Sequence, residues 1–400
     1  MTTTFPIKML MCPHCEGRFE LFLYSFQPHY GILKCTCREY PVVYSIPMLI
    51  DFPESKQVIE LIRDHDPKQA LLLALNLFAT NPDFQQHDPA AKEGRGRMLQ
   101  IIDDPLITFE QTLQALCSPD EAAAMFFRTA HRSLAAGLAL MALSTDVLGP
   151  ILHVGCGSGH LERALSNRIP SGMIIGLDER FPLLYAARKY MAPDGNFVFA
   201  SLSRKLPIRK ETFDIVLTDE VVGRSPRRVE MAEEVLRVVR TNEGALMAST
   251  TLAEIDSFTR RLPDHRLRRL STKRLVERFV KEHAVDATSG DSDRGVASVV
   301  ATRRPSLFAR RLMEDLMVCR SPRVNPVYVT SEIGEMVKLE RRQDLPEGIL
   351  DPNLLEAGAL PEKIEFSKQI IRDLQDGQVT PEAMDLLFRL VLVDLPLDYS

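Results

Sequence analysis

The chain has 400 residues, 45% hydrophobic and 26% charged, an ordinary globular composition long enough for two or three domains. Its formal net charge of −5 gives no general case for nucleic-acid binding. No apolar run is long enough to cross a bilayer, the nearest being "ALLLALNLF" at 70–78. With no targeting segment and cysteines that do not suit a disulfide framework, the expected compartment is the cytoplasm.

The first element is "MCPHCEGRF" at 11–19, followed by "ILKCTCREYP" at 32–41. Cys12, Cys15, Cys35 and Cys37 make two close pairs about twenty residues apart. That is the spacing of a zinc ribbon, in which each pair sits on a tight turn and four thiolates close a tetrahedral site. A redox dithiol would open a helix after a strand, whereas Pro13 and Gly17 make a knuckle turn. Cys117, Cys156 and Cys319 are scattered and odd in number, against a disulfide scaffold. A structural zinc is the leading reading and a metal-free ribbon the alternative, because the second pair is C-x-C. His14, inside the knuckle, is read as an exposed turn residue, with substitution as a ligand the other option. Short alternating strands at 40–50 complete a ribbon domain over 1–52.

Residues 53–148 read as a helical region. Apolar residues fall at helical spacing in "ESKQVIELIRDH", "PKQALLLALNLFA" and "SPDEAAAMFFRTAHRSLAAGLALMAL". Ser118 before Pro119-Asp120-Glu121 is a helix start, with a cap, a proline in the first turn and acids at the positive end of the dipole. The polar stretch 85–97 reads as a loop. Residues 149–304 alternate strand and helix. A final region, 305–400, is punctuated by proline and read as a helical extension, from "EFSKQIIRDLQ" and "PEAMDLLFRLVLVDLP". Thr380 is a plausible cap there. Leu386, Leu387, Leu390 and Val391 form a stripe too apolar to leave in water, to be buried against 53–148 or across a homodimer interface.

Charge is uneven. Residues 255–311 hold 14 Lys/Arg against 7 Asp/Glu, with a basic helix expected in "HRLRRLSTKRLVERFVK", while 344–400 hold 12 acids against 4 bases. Such a helix can bind phosphates, but pairing with the acidic tail or facing solvent is the favoured reading.

The chemistry lies in the alternating region. An apolar strand over 150–154 runs into Gly155-Cys156-Gly157-Ser158-Gly159, and a helix starts at once. Glycines there permit positive φ and close approach of a ligand to the backbone, and the helix start offers unpaired N–H groups. A second strand ends at Asp178, 19 residues beyond Gly159, where an acid accepts from both ribose hydroxyls or, in the plainer reading, caps a helix. "NFVFAS", "TFDIVLTDEVV" and "EGALMAST" supply three more strands, with a helix over 226–240. "DATSGD" and "VASVVATRR" are expected to close the sheet as an antiparallel pair. The spacing G-x-G-x-G, with His160 following, disfavours NAD.

Residues 150–304 resemble the class I S-adenosylmethionine-dependent methyltransferases. The resemblance implies an α/β fold, a seven-stranded Rossmann-like methyltransferase sheet of order 3-2-1-4-5-7-6, here with an N-terminal zinc ribbon and extra helical regions. Gly155, Gly157 and Gly159 match that family's glycine loop and Asp178 its ribose acid, with Glu179 and Arg180 flanking the adenine edge. The first 50 residues look like the small zinc-ribbon activators that partner tRNA and protein methyltransferases, in "LMCPHCEGRF" and "LKCTCREYPVVYSIPMLI". The cofactors implied are S-adenosylmethionine and structural zinc, with the ribbon a platform against the catalytic domain.

Two positions depart from the family. His153 stands where an acid usually helps to hold the cofactor's amino end, and Ser201 replaces the usual acid near the adenine amine. Cys156, Leu202 and Thr218 complete the expected cofactor contacts, Cys156 being read as small and buried. Asp219 and Glu220 follow the fourth strand, where they lie between cofactor and acceptor or serve as loop acids and caps. His131 and Arg128 either reach over the pocket or face solvent. No base is required, since a sulfonium is already electrophilic and alignment supplies much of the catalysis. The expected acceptor is a small molecule or a peptide-derived metabolite. An RNA or protein acceptor is one alternative, with nucleic acid not favoured, and a catalytically degenerate scaffold is the other; no membrane partner is expected.

Overall fold

A computed structural model of the chain describes residues 6–24, 27–81, 98–143, 149–219, 227–240, 244–251, 266–285, 296–302, 311–312 and 319–400. The first sheet is an antiparallel meander of β1 (Glu20–Tyr24), β2 (Gln27–Lys34), β3 (Glu39–Val43) and β4 (Ile46–Pro47). Helices α1 (Ser55–Arg63), α2 (Pro67–Phe78), α3 (Phe109–Leu116), α4 (Pro119–Phe126) and α5 (Arg132–Ala142) follow. Their starts are chemically marked. Asp66 accepts from Gln69 N, Thr108 and Gln111 close a capping box, and Ser118 accepts from Glu121 N. Residues 85–97, expected as a loop, lie outside the described residues.

The main sheet comprises β5 (Ile151–Val154), β6 (Ile174–Asp178), β7 (Asn196–Phe199), β8 (Ile215–Asp219), β9 (Ala245–Thr251), β10 (Arg266–Ser271) and β12 (Val296–Thr302). Its spatial order is β7-β6-β5-β8-β9-β12-β10, which is 3-2-1-4-5-7-6 in chain order. The first five strands are parallel, while β12 is antiparallel to β9 and β10 antiparallel to β12. The parallel strands are joined by α6 (His160–Ser166), α7 (Phe181–Ala186) and α8 (Arg228–Val238). One expectation fails here. The basic segment 265–281 is not a single helix: Arg266–Ser271 is the outer strand, and α9 (Thr272–Glu282) begins only after Ser271 caps Arg274 N. Leu267 and Leu270 stand three apart, the spacing of a helix face, and it is pairing with β12 that makes the segment a strand. "DATSGD", expected as that strand, lies outside the described residues.

The ribbon docks on the free edge of β7. Met48 ladders parallel to Phe199, Leu49 N donates to Phe199 O at 2.8 Å, and Leu10 bridges to Ile208. Leu10, Leu33, Tyr40 and Leu49 share one apolar cluster with Leu152, Ile175, Val198 and Phe213. An exposed parallel edge is thereby covered. Phe78 of α2 packs edge-on to Phe199 at 4.7 Å, so ribbon and helices converge on the same strand.

The last region departs from the helical expectation. Besides α10 (Pro352–Ala357), α11 (Lys368–Gln375) and α12 (Pro381–Phe388), it contains strands. A short pair, β11 (Ala284–Val285) with β13 (Arg311–Leu312), leads into it. There β14 (Pro322–Val324) pairs with β18 (Leu392–Asp394), and β15 (Tyr328–Ile333), β16 (Met336–Arg341) and β17 (Lys363–Ser367) form an antiparallel sheet. The two-residue loop Gly334-Glu335, with Gly334 at φ 60°, turns β15 into β16. Thr380 caps α12 as expected. Leu386, Leu387, Leu390 and Val391 are buried within the chain, in one cluster with Leu134 and Leu138 of α5. The basic helix α9 meets this tail through Phe279 against Phe388 at 5.1 Å and Lys273 against Glu356 at 2.6 Å.

Candidate active site and metal centre

The strand order reverses at β5, with β6 on one side and β8 on the other, and a crevice opens outside the carboxyl ends of these strands. Gly155, Gly157 and Gly159 all have positive φ (80°, 55° and 80°). A Cβ on Gly157 would project between Met125 Sδ and Arg180 Nη2, at 3.5 and 3.8 Å, so this glycine keeps the crevice open. One on Gly159 would meet Ala187 Cβ at 2.9 Å, so that glycine seats the loop on the protein.

The cavity measures ≈ 330 Å³, within the range of small-molecule sites. Gly155, Cys156, Gly157 and Ser158 border it at the loop; Asp178, Glu179 and Leu202 at β6 and β7; Leu217, Thr218 and Met247 at β8 and β9. Met125, Arg128, Ser133 and Leu134 line it from the helical region. Cys156 is buried, which pushes its thiol well above the usual range and makes it inert.

Asp178 is only 1% exposed, and its carboxylate is crowded. It accepts from Gly157 N at 2.8 Å, from Arg180 N at 3.0 Å, and from Arg180 Nε and Nη2 at 3.1 and 3.3 Å. Arg180 also donates to Glu121 Oε1 at 3.1 Å. Burial opposes the guanidinium charge, but Asp178 and Glu121 outweigh it and hold its pKa above the ordinary value. Hence the acid expected to take ribose hydroxyls is latched to an arginine, and a ligand must share or displace that contact. Glu179 Oε2 accepts from Leu202 N at 3.1 Å, tying the ends of β6 and β7 together. Ser201 pairs with Ser203 and borders a neighbouring cavity near His14 instead of this one.

His153 does line the cavity, and its Nδ1 lies 2.6 Å from Glu162 Oε1 on α6. A carboxylate therefore stands behind the histidine that replaces the expected acid. Two buried oxygens have no hydrogen-bond partner among the described residues: Thr218 Oγ1, on a residue of the cavity wall, and Glu162 Oε2, behind His153 and outside the lining. The Thr218 hydroxyl can both donate to and accept from a ligand in the cavity. A glycine cradle, an acid at a strand end and an unmet hydroxyl fit a cofactor with a nucleoside at one end and an amino group at the other.

Of the catalytic candidates, Arg128 lines the cavity, whereas His131 caps α5 by accepting from Ser133 N. Asp219 ends β8, and Glu220 lies outside the described residues. Sequence reasoning missed Glu121, Ser158, His160 and Glu162. Only the nine-residue offset between His153 and Glu162 hinted at a strand-to-helix contact.

In the ribbon, the sulfurs of Cys12, Cys15, Cys35 and Cys37 all lie within 4.8 Å of one another. Cys12–Cys37, Cys35–Cys37 and Cys15–Cys35 are separated by 3.5, 3.3 and 4.0 Å. A tetrahedron with Zn–S of about 2.3 Å has edges of about 3.8 Å, so the donor set fits. Cys15 is pulled down to about 6, first by a hydrogen bond from the Gly17 backbone and next by Cys37. His14 turns its Nε2 to Asp51 Oδ2 at 2.6 Å and is not one of this cluster.

The central unit is a Rossmann-like α/β domain with a crevice at its glycine loop. Residues 151–242 match the family model of the methyltransferase domain. A curated relative, malonyl-[acyl-carrier protein] O-methyltransferase of Legionella pneumophila, is 32% identical over 101 residues, 25% of this chain and 35% of that protein. The chain thus matches about a third of that relative's length. Among solved structures, one from the complex of the Haloferax volcanii Trm112 methyltransferase activator is 15% identical, with a TM-score of 0.31 and coverage of 42% of this chain and 89% of the other. A TehB-like S-adenosylmethionine-dependent methyltransferase of Corynebacterium glutamicum is 15% identical, with a TM-score of 0.32 and coverage of 42% and 88%. Likeness at this level carries no argument about substrate.

Proposed function

We propose that the protein is an S-adenosylmethionine-dependent methyltransferase acting on a small-molecule or peptide-derived acceptor. The observation that carries this reading is the ≈ 330 Å³ cavity bordered by the glycine loop, Asp178 and the Thr218 hydroxyl, which is unpartnered among the described residues. The cofactor, when bound, supplies an electrophilic methyl on a sulfonium. This chain's residues do the rest. The glycine loop admits the ligand to the backbone, Asp178 takes its ribose, and His153 and the Thr218 hydroxyl offer polar partners on the cavity wall. Met125, Arg128 and Leu134 cover the site and limit water. Calorimetry with S-adenosylhomocysteine tests the pocket, and labelled methyl donor offered to metabolite, peptide and RNA pools identifies the acceptor.

The four ribbon cysteines are proposed to hold one structural zinc, which staples the platform on β7. A cytoplasmic setting goes with this proposal; among the described residues no helix is long and apolar enough to cross a membrane. A second reading, a scaffold that binds cofactor weakly, is favoured by the Arg180 contacts on Asp178. Absence of S-adenosylhomocysteine binding would establish it in place of the first.

A further inference from the structure

The last residues of the sequence, far from the glycine loop along the chain, return to it through Tyr399. That side chain is buried and stacks between Phe109, at 4.8 Å and 20°, and Phe126, at 5.1 Å and 23°. Two backbone bonds hold the strap in place, Phe109 N to Asp398 O at 2.8 Å and Glu110 N to Tyr399 O at 3.0 Å. The Tyr399 hydroxyl donates to the Phe126 carbonyl and also lies 3.0 Å from His160 Nε2. His160 Nδ1 in turn lies 3.2 Å from the Ser158 hydroxyl, inside the glycine loop.

Proton counting settles the direction of this chain. A carbonyl only accepts, so the single phenolic proton is committed to Phe126. The Tyr399 oxygen can then only accept from His160, which puts a proton on Nε2. Burial, then Arg128 and Arg163, pull His160 down to about 3, so the ring is neutral and carries one N–H. Its Nδ1 is therefore an acceptor, and the Ser158 hydroxyl must donate to it. With its proton spent on His160, Ser158 has only lone pairs left for the cavity it lines.

We propose that Tyr399 is a positioning residue for the cofactor site: acting through His160, it fixes Ser158 as a hydrogen-bond acceptor for the ammonium group of the bound cofactor. This rests on the methyltransferase reading above, and it assigns the C-terminal strap a part in the site. An ammonium offers donors only, so a serine free to rotate would present its own proton in part of the population and bind less well.

The test is calorimetry of S-adenosylhomocysteine on the full-length wild type, Tyr399→Phe, Ser158→Ala and the double variant, with the His160 tautomer read by nitrogen-15 NMR. Tyr399→Phe keeps the aromatic stack and is expected to weaken binding about 2- to 10-fold, the scale of one hydrogen bond. Ser158→Ala should do the same, and the double variant should be no worse than Ser158→Ala alone. Ligand-free wild type should show the Nε2–H tautomer, and Tyr399→Phe a mixture. An unchanged Kd in Tyr399→Phe, or additive losses in the double variant, overturns the inference. An Nδ1–H tautomer in the wild type overturns it with the methyltransferase reading intact, whereas a wild type that binds no S-adenosylhomocysteine overturns both.

Discussion

At the scale of single residues, Asp178 and Arg180 bear most directly on whether the pocket works. Removing the carboxylate removes the proposed ribose acceptor, so Asp178→Ala should weaken S-adenosylhomocysteine binding by about 1–3 kcal/mol. Arg180→Ala should tighten it, because the guanidinium donates to both carboxylate oxygens and competes for them. Calorimetry on the two variants decides; a loss with Arg180→Ala would mean that the arginine holds the ligand instead. The glycines separate in the same way. Gly157→Val should abolish binding by filling the cavity, whereas Gly159→Ala should cost about 1–3 kcal/mol in folding, from the 2.9 Å contact and its φ of 80°. His160 makes a further prediction. Its folded pKa, about 3, lies below the unfolded value near 6.5, so between those limits the unfolded state binds more protons. Stability should therefore fall on acidification below about pH 6.5, by up to about 1.4 kcal/mol per unit. Urea midpoints at pH 7 and pH 5 measure this, and His160→Gln should flatten the difference.

At the scale of elements, the ribbon is where chemistry and fold meet. Protein purified without chelator is expected to carry about one zinc per chain by elemental analysis. Cys12→Ser should lose the metal and lower the thermal midpoint, since Cys12 is fully buried beneath the strands that cover β7. A metal-free wild type of equal stability would refute the assignment. The elements also show where sequence reasoning stops. The glycine loop and Asp178 were legible because close approach and positive φ restrict residue type. Arg266–Ser271 was not, because its two leucines, three apart, carry the spacing of a helix face, and only pairing with β12 overrides it. The hairpin at Gly334 carried a turn signal, but prolines and charges around it hid the short strands.

At the scale of the whole molecule, the C-terminal region closes the core. Leu386, Leu387, Leu390 and Val391 are at most 2% exposed, and Phe388 packs on Phe279 of α9. Arg163 of α6 donates to Asp394 at 2.8 Å, so the region also grips the helix that follows the glycine loop. Deleting 378–400 should expose this surface and give aggregation or a larger species by light scattering; a soluble, equally stable monomer would show the region to be dispensable. What the sequence determined by itself were the features written in local chemistry: thiol spacing, glycine spacing, an acid at a strand end, helix caps and an apolar stripe that had to be buried. Tertiary structure alone decided that Glu121 holds the far side of Arg180, that Glu162 backs His153, and that Tyr399 reaches Ser158 through His160. Those contacts join residues from 9 to 239 positions apart through the packing of helices on the sheet, and no local pattern encodes which side chains that packing brings within hydrogen-bond reach.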